Sequence, residues 1–455
     1  MITSYDEAID RLRTTSGLSV CPRPLFVLPL LRAGLLTTVL SLEAADAGWA
    51  DEFGTDFHAL ESLTGARDHT GTSAGIHQVL CHAPAPSRGP AWRGRELTLM
   101  PYQSLQPHWR DALDDLGTRL VEPHPQTTAP ILSNKVAQRS WFRSIGAAAP
   151  RDAVLGSLEN LEHRTLRHLF GEVYVVQSPQ GAGGHGTHLV TCEDDLRPLR
   201  SAAGPWLVSE YIDGTPLNVH GLVSADGTVS VLRTSVQLTR VDGIGAPFGT
   251  YSGCDFGAPG QLPGRALTRA GDTVARLGAG LAELGYRGLF GADFVLDGDR
   301  PLLLELNCRM QGSTWLLGEL ELAEDALPGA LRHVLERHGH TTRAEPRLDP
   351  SDASQLVIRH TGGAVRVTAA PVGGLHRLKD DELHHCGPGH GLLECGPDDC
   401  VLLQLPSVGT VLQPDVPLAR LVARYSLTTP DGRTLTPRGR QLVDAVRACF
   451  AFTPC

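Results

Sequence analysis

The sequence predicts an α/β fold with α+β elements, built from three units. Three observations carry that reading: strand-like and helix-like runs alternate over the first quarter of the chain; a hairpin rich in oxygen ligands follows the middle; and a Pro- and charge-rich stretch precedes a β-rich remainder. The expected divisions are residues 1–130, 131–340 and 345–455. At 455 residues the chain is long enough for two or three buried cores.

In the first unit, Leu25 to Leu30 reads as a strand and Arg32 to Ala45 as a helix. Leu97 to Tyr102 reads as a strand, and Gln106 to Gly117 as a helix leading into an extended Thr118 to Val121. Thr64 to Arg88, full of Gly, His, Ser and Pro, reads as a long loop. Thr127 to Pro130 is a breaker cluster, after which a helix begins with Ser133 or Asn134 as its N-cap.

The second unit reads as strand, glycine-rich loop and strand over Glu172 to Val190, followed by a strand from Trp206 to Ile212. Leu217 to Val223 and Val229 to Leu238 flank the turn Ala225-Asp226-Gly227 and are expected to pair. A helix from Arg265 to Leu284 stops at Gly285. Leu289 to Leu296 and Leu302 to Leu306 form a second hairpin, and a helix spans Ala323 to His338. Thr341 to Ser351 reads as a linker, and the last unit as strands near Leu356, Val365 and Val401 with a closing helix from Arg438 to Phe450.

Composition narrows the function. The net charge of −10 is spread along the chain, which argues against nucleic acid as a partner. The apolar stretch from Leu25 to Leu42 is broken by Pro29 and Arg32, so no membrane span is expected. The N-terminal residues lack the pattern of a signal peptide, and ten cysteines without a regular framework read as reduced thiols; both point to the cytoplasm. Of 40 basic side chains only Lys135 and Lys379 are lysine, so a retained lysine suggests a need for a compact ammonium.

The chemistry is concentrated in Gly291-Ala-Asp-Phe-Val-Leu296 and Leu303-Leu-Glu-Leu-Asn-Cys-Arg309. In an antiparallel pair closed around residues 297–300, Asp293 lies near the position opposite Glu305. Glu305 and Asn307 share a face because side chains alternate. Three oxygen donors so placed suit magnesium, which binds a few protein oxygens and fills its shell with phosphate and water. Arg309, on the same face, can bind phosphate or a developing anion. A solvated acidic hairpin is the bland alternative, but Glu305 sits in an apolar strand where an unpaired carboxylate is costly. The glycines of the loop Gly181, Gly183, Gly184 and Gly186, after a strand ending at Gln177, allow backbone N–H groups to wrap phosphate, though a plain hairpin turn explains the loop equally well. Glu210-Tyr211-Ile212 ends a strand and can present backbone groups to a base; a core strand is the simpler reading. His384, His385, Cys386, His390, Cys395 and Cys400 crowd one stretch without the pair spacing of a zinc site.

Taken in order, Ser133-Asn134-Lys135, the strand to Gln177, the loop Gly181 to Gly186, the hinge Glu210 to Ile212, and Asp293, Glu305, Asn307 and Arg309 resemble the ATP-grasp superfamily from about Pro130 to Gly339. The resemblance implies an ATP-grasp fold with an N-terminal parallel domain and a small appended C-terminal domain. It implies ATP and Mg2+, with two ions expected, as the cofactors. Lys135 would contact the phosphates, the hinge residues Glu210, Tyr211 and Ile212 would hold adenine, and Asp293, Glu305 and Asn307 would bind metal. Glu305 and Arg309 would serve the reaction. Gln177 stands where many members carry a second lysine and Pro216 where a ribose-binding acid is common, with Arg240 or Arg287 as candidate compensation. The flanks are similar to amino-acid and peptide ligases of natural-product pathways, including the pheganomycin type. The implied partners are a small-molecule carboxylate and amine, with a homodimer left open. A kinase of the same fold, or a nucleotide-binding protein without turnover, are the competing readings.

Overall fold

The computed structural model describes residues 1–13, 16–68, 72–82, 96–99, 102, 106–115, 119–121, 132–181, 183–343 and 349–455. Its first sheet is parallel, with strands β1 (Ser16–Cys21), β2 (Leu36–Ser41), β3 (Asp56–Ala59), β4 (Glu96–Leu99) and β5 (Arg119–Val121) in the order β3-β2-β1-β4-β5.

The chain differs from expectation just before and along β2. Pro24–Val27 is a 3-10 turn and Leu28–Arg32 a short helix, whereas the segment expected to be helical supplies strand Leu36–Ser41. Pro24 and Pro29 both sit in the first turn of their helical segments, where a missing N–H costs nothing. Thr37, Thr38 and Val39 are β-branched and favour the pleated sheet. The stretch expected to be a loop contains a two-residue strand, Ala66–Arg67, and the helix Thr72–His82; its end beyond His82, like the Thr127 to Pro130 cluster and residues 344–348 of the expected linker, lies outside the described residues.

A second, antiparallel sheet holds β6 (Asp152–Leu155), β7 (Tyr174–Gln177), β8 (Thr187–Val190) and β9 (Trp206–Glu210), ordered β6-β9-β7-β8. It has its own small core, with Leu166, Phe170, Tyr174, Val176 and Trp206 packed together. The third sheet has ten strands: β10 (Thr215–Val223), β11 (Val229–Gln237), β12 (Gly253–Asp255), β13 (Gly288–Asp297), β14 (Arg300–Asn307), β15 (Ser354–Arg359), β16 (Gly374–Lys379), β17 (Glu382–Gly387), β18 (Asp399–Leu403) and β19 (Pro417–Ala423). Their order is β14-β13-β10-β11-β12-β15-β19-β18-β16-β17, so the pairing of β12 with β15 carries the sheet across residue 345. The helix Gly264–Glu283 packs its buried face, including Ala270, Val274 and Leu277, on β10 and β11. The helix expected from Ala323 to His338 is shorter, Gly329–Arg337, with Pro328 as its N-cap, and a separate helix, Thr314–Ala323, precedes it.

The N-terminal unit is tied to the rest by a buried ionic cluster. Arg32 Nε and Nη2 donate to Glu319 at 2.6 and 3.0 Å, and Nη2 also reaches Glu394. The Glu319 side chain has no exposed surface. Removing that carboxylate leaves a largely buried guanidinium short of one acceptor, so Glu319→Ala is expected to lower unfolding free energy by about 3 kcal/mol. Urea denaturation at pH 7 reads the change, and a loss below about 1 kcal/mol, the size of an exposed pair, would contradict the role assigned to this cluster.

Candidate functional site

The acidic hairpin forms with one departure from regular pairing. Phe294 pairs with Leu303, but a bulge follows and Asp293 pairs with Glu305, which leaves Leu304 as the extra residue. The bulge puts the two carboxylates directly across from each other, and Asn307 faces Gly291. A Cβ at Gly291 would lie 1.5 Å from Gln311 Oε1, so a side chain there would displace the Gln311 amide.

Asp293 is held by neutral donors. Asn218 Nδ2 donates to Oδ1 at 2.7 Å, Asn307 Nδ2 to Oδ2 at 2.9 Å, and Gln311 Nε2 approaches Oδ1 at 3.4 Å. Burial and the nearby charge of Glu305 push the Asp293 carboxyl up to about 6. Asn307 also accepts from Arg309 Nη2 at 2.7 Å, which carries the chain of contacts from the acids to a guanidinium. Three hard oxygen donors with one carboxyl short of countercharge form a set that fits a magnesium ion. Asp293, Glu305 and Asn307 are the residues that could hold it.

Lys135 begins the helix Lys135–Ser144, whose N-cap is Asn134: its Oδ1 accepts from Val136 and Ala137 N–H. Lys135 Nζ donates to Glu305 Oε1 at 2.7 Å and to Gly181 O at 3.2 Å, and its side chain is 8% exposed. The ammonium therefore joins the hairpin to the glycine loop. Ala182 lies outside the described residues, but Gly183, Gly184 and Gly186 all have positive φ. A Cβ at Gly184 would stand 2.6 Å from Gly249 O, so only glycine lets this loop lie against residues 249–250. Gln177 donates from Nε2 to Thr187 Oγ1 at 3.2 Å.

At the end of β9, Glu210 Oε1 accepts from Arg151 N at 2.8 Å, which fixes the turn into Tyr211 and Ile212. Arg240 lies over the Tyr211 ring, 5.6 Å from its centroid, and hydrogen-bonds its hydroxyl. Asp213 pairs with Arg433 at 2.5 Å, linking the turn to the C-terminal region.

These groups share one cavity of about 750 Å³. Its lining includes Lys135, Gln177, Gly181, Gly183, Gly184, Gly186, Glu210, Tyr211, Ile212, Asp293, Glu305, Asn307 and Arg309, so the residues singled out from the sequence converge. Pro216 and Arg240 also line it. Arg287 does not: its guanidinium is bound to the carbonyls of Ala225, Ala282 and Tyr286.

Sequence reasoning missed Asn218 and Gln311, which fix Asp293, and the arginines Arg23, Arg359 and Arg420, which line the cavity from the flanking units. Asn218 and His220 alternate with Leu217, Val219 and Gly221 on a strand where all are buried. Polar residues at alternate positions of a buried strand were the available signal. The flanking arginines left none, because they come from opposite ends of the chain. The His- and Cys-rich stretch spreads over β17 and the following turns, and no group of three or more His, Cys, Asp or Glu able to hold a metal occurs among the described residues. Nor is any helix among them long and apolar enough to cross a membrane.

Residues 132–313 match the model of the ATP-grasp domain. The chain is 33% identical over 252 residues to an L-propargylglycine–L-glutamate ligase of Streptantibioticus cattleyicolor, covering 48% of this chain and 47% of that one. It is 25% identical over 218 residues to a [butirosin acyl-carrier protein]–L-glutamate ligase of Niallia circulans, covering 43% and 48%. The chain thus spans about half the length of these curated relatives. Among solved structures, the biotin carboxylase domain of Hydrogenobacter thermophilus 2-oxoglutarate carboxylase, in complex with MgADP, superposes with a TM-score of 0.58 at 12% identity, over 97% of this chain and 91% of that one. Phosphoribosylamine–glycine ligase from Thermotoga maritima gives 0.56 at 15%, over 96% and 97%. At such identity the likeness shows a shared fold alone.

The Asp293 environment has a consequence for stability. Its carboxyl is raised above the unfolded value of about 3.9, so the ionised form is the less stable one in the metal-free fold. Its contribution is fully present below pH 4 and is lost as pH rises through about 6. Asp293→Asn removes that loss. Thermal melts without metal should place the variant above the wild type at pH 8 and close to it at pH 4; a variant less stable at pH 8 than at pH 4, relative to wild type, contradicts this account.

Proposed function

We propose that the chain is an ATP-dependent, ADP-forming carboxylate–amine ligase that works through an acyl-phosphate and joins amino acids or a peptide in a natural-product pathway. The observation that carries the reading is the meeting of Asp293, Glu305, Asn307 and Arg309 with Lys135 and the glycine loop around one cavity. Both relatives named above are ligases acting on L-glutamate, which supports an amino acid as one substrate. The division at residues 130 and 345 belongs to the same proposal, with the central part as the ATP-grasp domain, as does a cytoplasmic location.

The side chains have distinct work in this reaction. Glu210, Tyr211 and Ile212 receive the base, while Gly181, Gly183, Gly184, Gly186 and Lys135 hold the phosphates, with Gln177 contributing a neutral donor in place of a second lysine. Asp293, Glu305 and Asn307 would hold magnesium, which when bound neutralises charge between the reacting oxygens. The substrate carboxylate oxygen attacks the γ-phosphorus of ATP and ADP departs, giving the acyl-phosphate. The amine nitrogen then attacks the acyl carbon, the C–O bond to phosphate breaks, and the amine proton is lost as the amide forms. Arg309 donates to the oxyanion that develops on that carbon. The loop from Gly181 to Gly186 keeps water from the acyl-phosphate.

Substituting Glu305 by Gln removes a charge that both metal and Lys135 require. It is expected to cut amino-acid-dependent ADP release at least about 100-fold, on the scale of losing one major electrostatic contact in a transition state. Coupled assays of ADP and inorganic phosphate decide the class: a ligase releases the two in equal amounts. Unchanged ADP production in Glu305→Gln would defeat the metal assignment, and ADP without phosphate would indicate a kinase.

A further inference from the structure

Apart from Arg240 and Arg433 near the turn at Tyr211, the same cavity is bordered away from the acidic hairpin by the guanidiniums of Arg23, Arg359 and Arg420. Arg420 lies on β19, between Val357 of β15 and Leu403 of β18, and is 2% exposed. Its Nε and Nη1 are buried without a hydrogen-bond partner. Its guanidinium stands over the Phe26 ring, 5.5 Å from the centroid, and Arg23 stands over the same ring at 5.4 Å. Arg359 donates to the carbonyls of Asp415 and Tyr251 at 2.6 and 3.2 Å, and its Nε is likewise buried without a partner. The carboxylates facing the group are Glu43, to which Arg23 Nε donates at 2.7 Å, and Asp415 beside Arg359, and the Tyr251 side chain lies close by.

Three positive charges against two carboxylates, with buried donors of Arg359 and Arg420 unmatched, make a built anion site. Burial and the like charge of Arg23 pull the Arg420 guanidinium down to about 9, a strain that an arriving anion relieves. The phosphates of ATP are already served by the glycine loop and Lys135, so this anion is a second one. A planar fork over an aromatic ring matches the two oxygens of a carboxylate. On the ligase reading, the carboxylate to be activated lies at Glu305 and Arg309.

We propose that Arg420, with Arg359 beside it, binds the non-reacting carboxylate of an acidic amino-acid substrate. The inference rests on the ligase reading and names the substrate class for it. Neutral amino acids are disfavoured because they leave the donors of Arg420 unmatched.

The test measures binding by calorimetry in the presence of a non-hydrolysable ATP analogue and Mg2+, so that it does not depend on turnover. L-Glutamate should bind wild-type protein at least about tenfold more tightly than L-glutamine or L-alanine, the usual worth of a charge-assisted contact. Arg420→Gln and Arg359→Gln should each lose at least about tenfold for L-glutamate and leave affinity for the ATP analogue unchanged. Should Arg420→Gln fail to fold, the wild-type ligand series and Arg359→Gln carry the decision. Equal binding of L-glutamate and L-glutamine overturns the proposal. So does L-alanine that binds as tightly and weakens in the variants, which would place an amine donor's sole carboxylate here, and so does inorganic phosphate that binds where L-glutamate does not. Failure of the ligase reading has a different signature: selective L-glutamate binding with no ADP release in the presence of any amine.

Discussion

A carboxylate that has lost most of its water needs a charge to answer it, and the site is organised around that need. Asp293 has only amide donors, from Asn218, Asn307 and Gln311, while Glu305 across the hairpin is met by the single ammonium of Lys135. Amides orient a carboxylate but do not neutralise it, so the pair remains receptive to a divalent ion. The bulge at Leu304 creates the requirement, since regular pairing would have set Leu304 opposite Asp293. Gly291 leaves the space that Gln311 fills, and Lys135 ties the acids to the glycine loop.

The surrounding architecture brings distant parts of the chain to these acids. The ten-stranded sheet extends from the hairpin at one edge into the C-terminal strands, and the Arg32–Glu319–Glu394 cluster fastens the parallel sheet against it. The cavity is consequently walled by Phe26 and Tyr102 from the start of the chain and by Arg359 and Arg420 from its last third. The central region supplies groups suited to a nucleotide; the outer regions supply groups suited to a second, anionic molecule. That arrangement explains why a terminal strand carries a buried arginine with unmatched donors.

Much of the central region was legible because its signals are local. Alternation, a tight turn and the spacing of Asp293, Glu305 and Asn307 are read within about fifteen residues, and the hinge and glycine loop end strands that the sequence marks clearly. The first unit was harder. Leu28–Arg32 and Leu36–Ser41 exchanged their expected states, since short apolar runs fit helix or strand equally well and proline position decided the matter. The partners of Asp293 and the arginines of the cavity lie outside any local window. Asn218 is 75 residues from Asp293, and Phe26 and Arg420 meet across nearly the whole chain. Such pairings follow from sheet order, which no periodicity encodes.

Divalent-ion binding by Asp293, Glu305 and Asn307 beside a bound nucleotide is the proposal on which the remaining roles depend. The most direct measurement is a crystal structure grown with ADP and Mn2+, with the metal located by its anomalous scattering. A peak is expected within coordination distance of oxygens from all three side chains and of the nucleotide phosphates. A metal bound to the phosphates alone, with Asp293 and Asn307 still hydrogen-bonded to each other, would contradict it.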